Sequence, residues 1–83
     1  MQISFPREQQ LSLDDASVDF PAIVDGNRVP CKILGEALDD YFRTETAGPL
    51  HAFLKHRRVI EGKARELIEK RESQLDGSIL IRS

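Results

Sequence analysis

The run SVDFPAIVDGNRVPCKIL, residues 17–34, limits the fold more than any other part of the chain. Val18, Phe20, Ala22 and Val24 alternate with Asp19, Pro21, Ile23 and Asp25. After the turn residues, Val29, Cys31 and Ile33 alternate with Arg28, Pro30, Lys32 and Leu34. Alternation at period two is the pattern of a half-buried strand. Gly and Asn accept positive φ, so the junction reads as a hairpin turn. A Gly26-Asn27 turn pairs Val24 with Val29, Ala22 with Cys31 and Phe20 with Ile33. An Asp25-Gly26 turn pairs Ala22 with Val29, Phe20 with Cys31 and Val18 with Ile33. Both registers bury the same faces, so the pattern secures the hairpin and leaves its register open. Pro21 and Pro30 donate no ladder hydrogen bond and must sit where the missing N–H points away from a paired strand.

Other elements follow from punctuation. Gln2 to Phe5 reads as a short strand stopped by Pro6, and Leu11–Leu13 as a brief extended segment. Gly35 opens a short helix with Ala37, Leu38, Tyr41 and Phe42 on one face, and Thr44 to Gly48 breaks it. Pro49 suits a first helical position, and a long helix is predicted from there to about Glu72. Asp76-Gly77 turns the chain into a closing strand, with Ile79 and Ile81 on one face. The order β-β-β-α-α-β predicts an α+β domain spanning residues 1–83. It is a two-layer fold with a small, mainly antiparallel sheet and two helices on one face.

Composition bounds the functional classes. The chain has 83 residues, 40% hydrophobic and 31% charged, as in an ordinary globular domain. One cysteine allows no internal disulfide. Met1 to Leu13 lacks the apolar core of a secretory signal, and no apolar run is long enough to span a bilayer, so a cytoplasmic protein without a membrane partner is expected. Residues 1–48 carry four basic and nine acidic side chains, −5, whereas residues 49–83 carry eight and five, +3. That asymmetry hints at a charged partner surface.

The long predicted helix contains a misfit. Arg57 and Glu61 fall inside the arc of Leu50, Phe53, Ala64 and Ile68 that should be buried. Four residues apart, they can reach each other along a helix. As a structural feature they form an ion pair at the helix–sheet seam, with the arginine stem on apolar surface. As a functional feature Arg57 points into a crevice and takes a carboxylate, a phosphate or a partner's backbone. Lys55, Arg58, Lys63 and Arg65 form the densest basic cluster and the candidate nucleic-acid contact. On a helix they fan around the axis, and the pI of about 5.6 is not that of a nucleic-acid-binding domain. Cys31 is expected on the inward face as a small hydrophobe. His51 and His56 do not share an i, i+4 metal-chelating face. No residue is assigned as catalytic, cofactor-binding or metal-binding, and no cofactor is expected.

As a set, VDFPAIVDGNRVPCKI, EALDDYF, AFLKHRRVIEGKA and the closing apolar strand resemble domain-of-unknown-function family 1488, short bacterial proteins. Phe20, Gly26, Cys31, Leu38, Phe53, Arg57, Ile60 and Ala64 fall where that pattern has such residues. The resemblance implies a small stand-alone α+β fold in a bacterial cytoplasm and supplies no activity to carry over. The leading expectation is a non-enzymatic binding or regulatory module acting through protein–protein contacts or self-association. Its docking face would be the sheet's open side, with Pro21, Ile23, Pro30 and Leu34 exposed and Arg57 and Glu61 as further candidates. The alternatives are a nucleic-acid-binding regulator using the basic cluster, and a small ligand-binding protein or enzyme around Arg57 and Cys31.

Overall fold

In the computed structural model, which describes residues 1–42 and 48–82, the alternating run becomes β3 (Val18–Val24) and β4 (Asn27–Ile33). Asp25 at φ 50° and Gly26 at φ 85° make the turn, as the primed hairpin type requires. This selects the second of the two open registers, with Ala22 opposite Val29, Phe20 opposite Cys31 and Val18 opposite Ile33. Pro21 then faces Pro30. Hydrogen-bonded pairs alternate from Val24–Asn27, so the two prolines occupy a non-bonded position and no ladder bond is lost.

β1 (Ile3–Ser4) and β2 (Gln10–Leu11) both pair antiparallel with β3 on its other side, and β5 (Ile79–Ile81) pairs parallel with β4. Ser4 lies opposite Ile23 and Gln10 opposite Asp19, so residues 5–9 of the arm face only residues 20–22 of β3 and must bulge. The bulge coincides with Pro6 and lies beside Pro21, where neither proline could have donated to a ladder.

α1 (Gly35–Phe42) follows β4 directly. A Cβ on Gly35 would stand 2.8 Å from the Ala16 carbonyl oxygen, so only glycine lets the 15–16 loop approach so closely. The predicted break at Thr44 to Gly48 falls, apart from Gly48, outside the described residues. The long helix expected from Pro49 to Glu72 is two helices, α2 (Pro49–Lys55) and α3 (Arg57–Glu69). His56 departs from helical geometry at φ −109°, ψ 23°, and its ring stacks on Phe42 at 4.1 Å between centroids, nearly parallel. That tertiary contact favours an elbow at a position where local propensity would have run straight on. α3 ends three residues early because Arg71 adopts φ 58°. Glu72 N–H then reaches the Leu67 carbonyl and Arg71 N–H the Ile68 carbonyl, a Schellman closure.

The α+β class and the small, mainly antiparallel sheet are as expected, with a helical layer of three segments on one face. Between the layers lie Val18, Phe20, Ala22, Cys31, Ile33, Ile79 and Ile81 from the strands. They meet Leu38, Phe53, Ile60, Ala64 and Ile68 from the helices. Phe53 is fully buried, 5.2 Å from the Phe20 ring.

Candidate functional site

The elbow makes Arg57 the first residue of α3, beside the arm. Its guanidinium makes three directed bonds, one from each nitrogen. Nε donates to Glu61 Oε2 at 2.9 Å, Nη1 to Gln9 Oε1 at 2.7 Å and Nη2 to the Pro6 carbonyl at 2.7 Å. The group also lies 5.3 Å from the centre of the Phe53 ring. Side-chain exposure is only 14% for Arg57 and 21% for Glu61. The misfit pair therefore sits at the seam and clasps the 5–9 bulge. Eight residues on, Arg65 repeats the motif, donating to the Ile3 carbonyl at 3.1 Å and lying over the Phe5 ring. About 12 Å of helix thus grips about 10 Å of extended arm.

With the bulge pinned, Arg7 enters a crevice of about 300 Å³ that it shares with Leu54, Lys55, His56, Arg57, Arg58 and Val59. Among the described residues, no acidic one lines it. Arg7, Lys55 and Arg58 are exposed and have no ion-pair partner among the described residues. Leu54 and Val59, at 50% and 52% exposure, are apolar shoulders on the same crevice. Like charges this close repel one another and so favour an incoming anion.

The predicted basic cluster does not act as one face. Lys55 and Arg58 belong to the elbow, Lys63 lies 4.1 Å over the Tyr41 ring in a different cleft, and Arg65 holds the arm. Arg7 was missed. In sequence it is one charge in a polar loop; it follows Pro6, whose carbonyl Arg57 takes, and so lies beside α3.

The sheet's open side differs from expectation. Pro21 is buried, Ile23 and Leu34 are half-buried, and only Pro30 is exposed. Glu8 in the bulge pairs with Arg28 on β4 at 2.8 Å, so this bridge crosses β3 on that side. Lys32 lies within 4.0 Å of both Asp15 and Asp19. Period two states which side a residue faces. It is silent about the loops and ion pairs that close over that side.

Cys31 is buried on the inner face, and burial pushes its thiol up to about 12. Such a thiol carries almost no thiolate at neutral pH. His51 is exposed on α2, whereas His56 is held by its stack on Phe42. No helix among the described residues is long and apolar enough to cross a membrane.

The chain and its two-layer fold are similar to those of known bacterial proteins. The model for the family described as "Protein of unknown function (DUF1488)" matches residues 3–81, and the chain belongs to that family. It is 33% identical over 80 residues to "Uncharacterized protein YrdB" of Escherichia coli (strain K12), covering 95% of this chain and 94% of that one. The Shigella flexneri protein of the same name matches to the same extent. A DUF1488 crystal structure from Shewanella loihica PV-4 superposes with a TM-score of 0.80 at 25% identity, covering 95% of this chain and 90% of that one.

Proposed function

We propose that the protein is a non-enzymatic docking module that takes an acidic segment of a partner protein at the α2–α3 elbow. One observation carries this reading: Arg7, Lys55, His56 and Arg58 converge on a crevice that has no acidic lining among the described residues, flanked by exposed Leu54 and Val59. Exposed charges steer and select a partner, and apolar shoulders add the contact area that charges lack. An acidic segment with one or two apolar side chains matches both features. A nucleic acid matches less well. Its affinity grows with the number of phosphates neutralised, and Lys63 and Arg65, which would lengthen a basic track, are engaged elsewhere.

The experiment titrates labelled protein with a hexaglutamate peptide bearing one leucine, and separately with a mixed-sequence DNA duplex. Residue-resolved amide shifts are read at low salt. The peptide is expected to move Arg7 and residues 54–59, and Lys55→Glu with Arg58→Glu to abolish the effect. Tighter binding of DNA, with a steep salt slope, would favour the nucleic-acid reading, and no response to either probe removes the elbow as a site. Light scattering checks self-association. A dimer lost on the same charge reversals would make the acidic partner a second copy of the chain.

A further inference from the structure

We infer that Arg57 is the positioning residue of the elbow: it does not touch the partner but sorts the arm so that Arg7 faces the crevice and Glu8 faces away. This rests on the elbow reading above. The two arm atoms it holds, the Pro6 carbonyl and Gln9 Oε1, bracket Arg7 and Glu8 in the chain. Between them Glu8 N–H folds back to the same Pro6 carbonyl at 2.8 Å, a tight local turn. Glu8 then bonds Arg28 at 2.8 Å on the sheet's open side, while Arg7 lines the crevice. Neighbouring opposite charges would cancel if both pointed the same way. Fixing the backbone on each side of them sends one to each face. The carbonyl of Pro6 therefore serves two donors, and the guanidinium is the group that ties it to α3.

Only a planar fork can bond Glu61, Gln9 and Pro6 together while lying on the Phe53 ring. An ammonium is a single point donor and cannot reproduce that geometry. Arg57→Lys thus keeps the charge of the elbow and removes its geometry. Losing Arg7 from the crevice should weaken an acidic peptide about fivefold.

The test measures hexaglutamate affinity in the intact chain for wild type, Arg7→Ala, Arg57→Lys and the double variant. Both single variants are expected to lose about fivefold, and the double variant no more than either alone, because they remove the same contact. Arg65→Lys, on the same helix and gripping the same arm outside the crevice, should bind like wild type. Full additivity in the double variant overturns the inference, since Arg57 would then contact the peptide itself. Wild-type affinity in Arg57→Lys overturns it as well. If Arg57→Lys fails to fold, Gln9→Leu removes one of the two arm contacts, and its affinity should fall towards that of Arg7→Ala. The two readings fail separately. Without wild-type binding, or with Arg58→Ala silent, the elbow itself is wrong. With binding present and lost in Arg58→Ala but kept in Arg57→Lys, only the positioning role is wrong.

Discussion

Along one edge of the sheet, two strands of two residues each are separated by a bulge, and α3 reaches across with Arg57 and Arg65 to take the Pro6 and Ile3 carbonyls. Along the other, β5 is three residues long, with Ile79 and Ile81 each only 3% exposed. Its ends are closed differently. Gln74 N–H takes the Ser78 carbonyl, and the Tyr41 hydroxyl donates to that of Arg82. Leu34 N–H bonds the Ile81 carbonyl, so by alternation the N–H and C=O of Leu80 point away from β4. They face a cleft of about 500 Å³ lined by Tyr41, Lys63, Glu66, Leu67 and Gln74 among others. An open strand edge invites pairing with other chains. One edge here is answered by cations borrowed from a helix, the other by brevity and apolar anchorage. The first device depends on direction and charge, the second on area, and the two should respond differently to the same perturbations.

The largest expected effect lies at the apolar edge. Ile81→Ala removes buried methyl groups from the α3–β5 contact and should cost about 3 kcal/mol in urea denaturation, with little change in ~1 M salt. At the polar edge Arg57→Ala should cost about 1–2 kcal/mol, since the pair is partly solvated and its bonds are charge-assisted. Hydrogen exchange gives the sharper reading: Ser4 and Gln10 should lose protection in Arg57→Ala while Ile33 and Ile81 keep theirs. Equal loosening of both edges would break the contrast, because the clamp would then be part of the global core. High salt should shrink the Arg57→Ala penalty and leave the Ile81→Ala penalty in place.

Much of this division was legible in the residues, though unevenly. The hairpin's faces followed from period two, and its register was narrowed to two choices. The deciding fact was that Asp25 sits at φ 50°, which asparagine and aspartate tolerate and a sequence pattern does not announce. Arg57 and Glu61 stood out as charges inside an apolar arc, so the question was visible. The answer was not, because Gln9 and Pro6 lie 48 and 51 residues away in the chain. The elbow escaped for the same reason. Nothing local at His56 opposes a helix, and the ring of Phe42 that receives it belongs to another element. Arg7 gave no signal at all, and its place depends wholly on the arm being held. Alternation makes the open side of the sheet look too apolar because it cannot foresee the Glu8–Arg28 bridge across it.

The smallest effect separates the two edges by the origin of a lowered carboxylate pKa. Glu8 lies below its ordinary 4.5 because Arg28 donates to it and adds its charge. Asp76, in the turn before β5, lies below its ordinary 3.8 because the Ser78 hydroxyl and N–H both donate to Oδ1, at 2.6 and 2.9 Å. In both cases the folded pKa is depressed, so the unfolded chain takes up protons first. The stabilisation is complete above the unfolded values and is lost as pH falls from there through the folded ones, below about pH 4.5. Glu8→Gln and Asp76→Asn should each flatten a little of the acid limb of a stability–pH curve. Salt then tells them apart. At ~0.5 M the Glu8 contribution, an exposed ion pair, should fade from the wild-type curve, while that of Asp76, made of short hydrogen bonds to neutral donors, should persist. If Asp76→Asn lost its effect in salt as fully as Glu8→Gln, the turn before β5 would be held by charge too, and the two edges would be guarded by one kind of chemistry after all.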